Sequence, residues 1–117
     1  MINQAILNLF LMTFKYMRSI LFFDLPVVKK EERKEAAKFR RDIVKLGFYM
    51  LQESVYVKMN IDTFHAERIA TKVRSIAPDN GSIIIMNVTE NQFQNMILVS
   101  GDKKSTVIDS SDRLIEL

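Results

Sequence analysis

The 117-residue sequence contains no cysteine, one histidine, two prolines and three glycines. The lack of cysteine excludes disulfides, thiolate nucleophiles, zinc–thiolate sites and iron–sulfur clusters. Because His65 is the only histidine, a multi-histidine metal site within one chain is excluded, and a bound metal would be a hard cation with oxygen ligands, such as Mg²⁺ or Mn²⁺. The glycines (Gly47, Gly81 and Gly101) are too far apart to form a phosphate-binding loop.

Long hydrophobic runs are also absent. The first twelve residues, MINQAILNLFLM, are apolar but shorter than the roughly 20 residues that cross a bilayer. No cation precedes them and no small-residue cleavage site follows, so they match a secretory signal poorly. We interpret residues 1–12 either as a helical extension that packs on the domain or as the result of a start codon assigned too far upstream. Nothing else in the sequence requires export or a membrane partner, so we expect a cytoplasmic location.

The rest of the chain has the composition of one globular domain, with 48% apolar and 26% charged residues. We place this domain at residues 13–101 and a tail with strand character at residues 102–117. Such an apolar tail is a candidate for strand exchange between subunits. The net charge is +3, and the segment from Lys15 to Lys45 carries ten Lys or Arg against five Asp or Glu.

The stretch MRSILFFDLP, residues 17–26, organises the chain. Its unbroken apolar run from Ile20 to Phe23 predicts a strand that is covered on both faces, at the centre of a sheet. The run stops at Asp24, and Pro26 prevents further strand pairing. Asp24 has two interpretations: it caps the turn or the next helix, or it binds a metal. One carboxylate cannot hold Mg²⁺ firmly, but two copies of Asp24 brought together across a dimer axis could.

The next segment predicts a strongly basic helix from about Lys29 to Leu46, ended by Gly47. On a helical wheel, five cations fall within about 80° of arc, with no acidic residue between them. They are Lys30, Lys34, Lys38, Arg41 and Lys45. This pattern fits both a solvated face and a surface that contacts a nucleic-acid backbone. Arg18 and Lys15, which lie nearby in sequence, add to the second interpretation.

The remaining pattern completes a familiar fold. Residues 48–59 predict two strand segments separated by a bulge or bend, and a second helix capped by Asp62 or Asn60 follows and ends before Pro78. We take His65, near the start of this helix, to be a surface residue. Later segments predict a buried strand (82–88), a short helical turn after Thr89 and a further strand (96–99). The order gives a ferredoxin-like βαββαβ sandwich of the α+β class. Its helices cover one face of the sheet, so we expect two copies to pair through the other face.

Several motifs carry a specific resemblance over almost the whole chain, from about Thr13 to Leu117. They are F-D-L-P, K-F-R-R, G-F-x-M-L-Q-x-S-V-Y and T-E-x-Q-F-x-x-M. With these motifs the chain resembles the family of CRISPR-associated adaptation endonucleases. This family is the second of the two universal adaptation proteins, and the resemblance is to the form that accompanies a single large effector. Relatives begin near the equivalent of Met12 or Met17, which favours the upstream-start interpretation. The helix departs from the family pattern at Ala36 and Ala37.

The resemblance implies a ferredoxin-like homodimer that takes part in antiviral defence by spacer acquisition. Asp24 matches the acid that the family is proposed to use as a Mg²⁺ (or Mn²⁺) ligand shared between subunits, and so is the implied catalytic residue. The family is described as metal-dependent nucleases acting on RNA or DNA. It also holds duplex prespacer DNA between integrase dimers. We therefore expect a DNA-binding scaffold with a weak nuclease activity, or a structural DNA-binding subunit without that activity.

Overall fold

The computed structural model describes residues 3–101. In this range the strands and helices follow the order α1 (Gln4–Lys15), β1 (Met17–Asp24), α2 (Lys30–Lys45), β2 (Tyr49–Gln52), β3 (Val55–Asn60), α3 (Thr63–Ile76), β4 (Ser82–Thr89) and α4 (Glu90–Gln94). The part from β1 to β4 is the βαββαβ unit that the sequence predicts. The tail at 102–117, with its suggested strand exchange, lies outside the described residues.

The four strands form one antiparallel sheet in the order β2-β3-β1-β4. Strand β1 is therefore an interior strand, as its apolar run predicts. Strand β4 pairs with β1 on one side only and lies at an edge in the described part of the chain. The expectation that β4 is buried is wrong, because Ile84 and Met86 are 58% and 47% exposed.

Helices α2 and α3 cover one face of the sheet and form the main core with it. Leu21 and Phe23 of β1 point into this layer, and the rings of Phe23 and Phe39 meet edge to face with centroids 5.3 Å apart. The helices contribute Phe39, Ile43, Ile69 and Val73. Because side chains alternate along a strand, Phe22 and the other alternate residues of β1 face the other side of the sheet.

The helix ends follow the signals in the sequence. At the end of α2, Gly47 adopts φ +107°, and the N–H groups of Gly47 and Phe48 donate to the carbonyls of Val44 and Ile43, each at 3.0 Å. This is a Schellman motif, and it places β2 directly after α2. At the start of α3, the Asp62 carboxylate accepts the backbone N–H of His65 at 2.8 Å.

The second face of the sheet, opposite α2 and α3, is only partly covered, and we call it the open face. Helix α4 lies over one end of it, where Phe93 packs against Ile20 and Val57. A groove of about 350 Å³ beside α4 is lined mainly by apolar side chains, among them Phe22, Leu51, Val55, Met86 and Met96. The open face therefore has a covered end at α4 and an exposed apolar surface beyond it.

Two terminal segments flank this sandwich. Helix α1 contacts α4 and β4, with Ile6 and Leu9 61% and 48% exposed. Residues 96–99 are not in a strand, and Ile97 and Val99 are 81% and 92% exposed, so the predicted strand there is wrong for the single chain. Within residues 3–101, no helix is both long and apolar enough to cross a membrane.

Candidate active site at the end of β1

Asp24 is the last residue of β1, and its side chain is exposed on the open face. It shares this face with Phe22 by the alternation of the strand and lies beside Ser82, its register partner on β4. An exposed carboxylate thus stands at the edge of an apolar surface. The strand that carries it is the most buried one of the sheet.

The backbone at Asp24 is held from both sides. On one side, the N–H of Phe23 donates to the carbonyl of Ser54 at 3.1 Å. On the other side, Gly81 adopts φ +96° and packs so closely that a Cβ there would lie 2.6 Å from the carbonyl oxygen of Asp24. A side chain at position 81 would therefore displace the end of β1, which explains why a glycine occupies this turn.

A depression of about 260 Å³ is lined in part by Asp24. The hydroxyl-bearing residues Ser54 and Ser82 line it together with Asp24. Its remaining walls are apolar and are formed by Phe22, Phe23, Val55 and Ile84. Sequence reasoning missed both serines. The available signals were the turn residues before β3, where Ser54 lies, and Gly81 immediately before Ser82.

Asp24 does not cap the following helix. Helix α2 begins at Lys30, and its N-cap is Lys29, whose backbone N–H is accepted by the Glu32 carboxylate at 2.8 Å. Within residues 3–101, the Asp24 side chain has no hydrogen-bond partner. The helix-cap interpretation of Asp24 is therefore wrong, and its carboxylate is available to solvent or a ligand.

The site offers oxygen ligands of the kind that Mg²⁺ or Mn²⁺ prefers, but too few of them. Each chain supplies one carboxylate and two neighbouring hydroxyl groups. No cluster of three or more acidic or histidine side chains occurs among the described residues. A cation would therefore retain several waters or take a second carboxylate from another chain. The donor set fits half of a magnesium site.

The cations of α2 lie on its solvent side, as predicted. Lys30, Lys34, Lys38, Arg41 and Lys45 are all exposed. However, Lys38 forms an ion pair with Asp42 one turn later, at 2.6 Å. This hydrogen bond lowers the pKa of the Asp42 carboxyl. Asp42 lies on the adjacent side of the helix and not between the cations, but the long side chain of Lys38 reaches it, so Lys38 is engaged within the chain.

The sequence predicts that Arg18 contacts nucleic acid, but its side chain is buried. It is only 6% exposed, and its guanidinium makes two hydrogen bonds with the Glu90 carboxylate, at 2.5 and 2.9 Å. It also bonds to the Tyr49 hydroxyl and lies 4.4 Å from the centre of the Phe93 ring. With its donors engaged beneath α4, Arg18 is not available to a phosphate.

The T-E-x-Q-F motif builds the attachment of α4. Thr89 accepts the N–H of Gln92 at 3.0 Å, and the Gln92 side chain accepts the N–H of Thr89 at 2.9 Å, which is a capping box. Glu90 pairs with Arg18, and Phe93 enters the core of the open face. Burial alone would raise the pKa of Glu90, but the hydrogen bonds from Arg18 and Gln94 outweigh it and lower that pKa.

A chain of polar side chains lies on the helical face of the sheet. The Asn60 amide donates to the Ser19 hydroxyl at 2.8 Å, and Ser19 donates to Asn87 at 2.7 Å. The His65 ring lies 2.9 Å from the Asn60 side-chain oxygen and is half-buried. His65 is therefore less exposed than the sequence indicates, and its ring contacts Asn60 at the end of β3, next to the start of α3.

The structure does not bring the candidate carboxylate and the basic helix face together. Asp24 is on the open face, whereas α2 packs on the opposite face and turns its cations outward from the sheet. Within one chain these are two separate surfaces. A process that used both would need a nucleic acid to pass around the domain, or two different ligands.

The comparisons with known proteins agree with this architecture. The family model described as CRISPR associated protein Cas2 matches residues 17–96. A crystal structure of a Cas2 protein superposes with a TM-score of 0.54 at 17% identity, covering 76% of this chain and 92% of that one, which supports the fold.

Three relatives share the name CRISPR-associated endoribonuclease Cas2. The protein from Treponema denticola is 35% identical over 101 residues, which cover 86% of this chain and 100% of the relative. The protein from Ligilactobacillus salivarius is 39% identical with the same coverage. The protein from Streptococcus mutans serotype c (strain UA159) is 37% identical over 86% of this chain and 93% of its own length. The chain therefore belongs to the CRISPR-associated Cas2 protein family.

Proposed function

We propose that this chain is a CRISPR-associated nuclease that acts as a homodimer, with Asp24 of each copy holding one shared divalent cation. The relatives' name, endoribonuclease, supports phosphodiester cleavage. The single observation that carries the assignment is the position of Asp24, an exposed carboxylate on fixed backbone at the margin of the open face.

The open face supports the pairing of two copies. Its uncovered part presents Ile84 and Met86, which are 58% and 47% exposed, beside the apolar groove at α4. Burying apolar area contributes roughly 25 cal/mol per Å², so a second copy seated on this surface would be stabilised by it. A two-fold axis that passes close to the end of β1 would bring the two Asp24 carboxylates toward each other. Two like charges at short range favour a bridging cation.

In the proposed site, Asp24 from each chain would hold Mg²⁺ or Mn²⁺. When bound, such a cation lowers the pKa of a coordinated water and neutralises charge on the phosphodiester. Because the backbone at the end of β1 is held from both sides, Asp24 would hold the cation in a fixed position, and its carboxylate could also accept a hydrogen bond from water. In one chain the Asp24 carboxylate is open to solvent, and the apolar side chains of Phe22, Val55 and Ile84 beside it would limit the access of bulk water only once a second copy covers this face.

Replacing Asp24 tests the nuclease assignment. We expect Asp24→Asn to lose at least about 100-fold in Mg²⁺-dependent cleavage of RNA or DNA, since an amide cannot replace a charged ligand. Cleavage of a labelled single-stranded RNA and a labelled duplex DNA would be measured with and without Mg²⁺. Glu67→Gln, which removes an exposed carboxylate on α3, is the control and should cleave normally. Equal cleavage by Asp24→Asn and the wild type would exclude Asp24 as the catalytic residue.

We also propose a scaffold role in spacer acquisition, in which the dimer binds duplex prespacer DNA between integrase subunits. The exposed cations of α2 support it, because they form a sequence-independent surface for phosphates on the side away from Asp24. The two roles use different surfaces and can therefore be separated. If Asp24→Ala abolishes spacer acquisition in cells while duplex binding stays normal, the scaffold role alone does not explain the function.

A further inference from the structure

Ser54 has an unusual backbone conformation for its residue type. Among residues 3–101, it is the one non-glycine residue with a positive φ, at +62°. It lies in the turn that joins β2 to β3, next to Glu53. Glycine adopts this left-handed conformation more easily than any residue with a side chain. The backbone alone would therefore favour glycine, and the presence of a serine hydroxyl requires a separate explanation.

The position of Ser54 supplies that explanation. Its carbonyl accepts the N–H of Phe23 at 3.1 Å, which ties the turn to the residue preceding Asp24. Its side chain is half-buried and lines the same depression as Asp24. Ser82, the register partner of Asp24, lines this depression as well. Asp24 is thus flanked by two serines, one in the turn before β3 and one at the start of β4.

We propose that Ser54 is a positioning residue for the hydrated cation at Asp24, with its hydroxyl group binding one of the cation's water ligands. This inference rests on the proposed function. Mg²⁺ keeps several waters when a protein supplies few carboxylates, and those waters need hydrogen-bond partners. A serine hydroxyl can both accept from and donate to such a water. Partners outside the first coordination shell alter metal affinity by about 10- to 100-fold.

The test is the affinity of the purified full chain for Mn²⁺, measured by electron paramagnetic resonance of the free ion during titration. Ser54→Gly removes the hydroxyl and retains a residue that favours the left-handed turn. Ser75→Ala removes a serine hydroxyl on α3 that donates to the Lys72 carbonyl at 2.6 Å, and it serves as the matched control because α3 packs on the face of the sheet opposite Asp24. Asp24→Asn reports whether Mn²⁺ binds at the proposed site at all.

We expect Ser54→Gly to bind Mn²⁺ about 10-fold more weakly than the wild type, with an equal or higher Tm. Ser75→Ala should bind as the wild type does. Wild-type affinity in Ser54→Gly, or a clearly lower Tm, would overturn the role of Ser54 while leaving Asp24 in place. If the wild type bound no Mn²⁺, or Asp24→Asn bound it equally well, the proposed metal site itself would fail.

Discussion

At the scale of single residues, the buried ion pair of Arg18 and Glu90 decides how the covered end of the open face is built. Both side chains are less than 10% exposed, and the pair is completed by Tyr49, Gln94 and the Phe93 ring. A buried pair contributes little compared with an apolar replacement, but removing one partner leaves an uncompensated charge. The pair therefore fixes the position of α4 more than it adds net stability.

The stability of this pair should depend on pH. Because the folded pKa of Glu90 is lowered, its contribution is fully present above the unfolded value of about 4.3 and is lost as pH falls through the folded pKa. We expect Glu90→Gln to reduce the free energy of unfolding by about 3 kcal/mol at neutral pH. The difference in the free energy of unfolding between Glu90→Gln and the wild type should become smaller below about pH 4. Urea denaturation at a series of pH values measures both effects.

A comparison variant separates this buried pair from an exposed one. Asp42→Asn breaks the exposed pair with Lys38 and should change stability little, since exposed pairs are screened by solvent. If the free energy of unfolding of Glu90→Gln differed from that of the wild type by the same amount from pH 7 to pH 3, protonation of Glu90 would have no effect on stability. That result would contradict the pairing.

The sequence was informative about Asp24 and misleading about Arg18. An acid that ends an apolar run is visible in the sequence, and so is the rigid turn after it. The partner of Arg18 is 72 positions away, and no local pattern connects the two. Ser54 and Ser82 were missed for the same reason, since their proximity to Asp24 follows from strand register and a turn conformation.

At the scale of secondary structure, periodicity predicted the elements better than it predicted their surroundings. Strands β1 and β4 both read as unbroken apolar runs, yet β1 is interior and β4 is an edge strand. The runs look alike because the open-face side chains of β4, Ile84 and Met86, are apolar although they are exposed. Apolar residues that a single chain leaves uncovered cannot be distinguished by sequence from those it buries.

The basic face of α2 yields a prediction at this scale. Since Lys38 is paired with Asp42, Lys34 and Arg41 are the better choices for removal. We expect Lys34→Glu combined with Arg41→Glu to weaken duplex binding regardless of sequence. The slope of log affinity against log salt should fall by about 0.9 for each lost phosphate contact. Fluorescence anisotropy of a labelled duplex at several salt concentrations measures both quantities.

The control for this prediction changes charge elsewhere by the same amount. Lys72→Glu combined with Arg74→Glu alters two exposed cations of α3. The α3 variant should bind duplex DNA more tightly than the α2 variant does. Unchanged binding by the α2 variant would mean that its cations form only a solvated face.

At the scale of the whole molecule, the uncovered apolar surface is the feature that the proposed function must explain. The βαββαβ order predicts such a surface, because both crossover helices lie on one side of the sheet. The partial cover by α4 was not predicted, since it depends on the long-range contacts of Glu90 and Phe93. What remains exposed includes the surroundings of Asp24.

The proposed function requires that two copies pair through this face and complete one site, and sedimentation equilibrium at working concentration measures whether they do. We expect a species of twice the 13.6 kDa of one chain for the protein alone, and two chains plus the bound nucleic acid when nucleic acid is present. A stable monomer under both conditions would contradict it, because one chain supplies only one carboxylate to the cation.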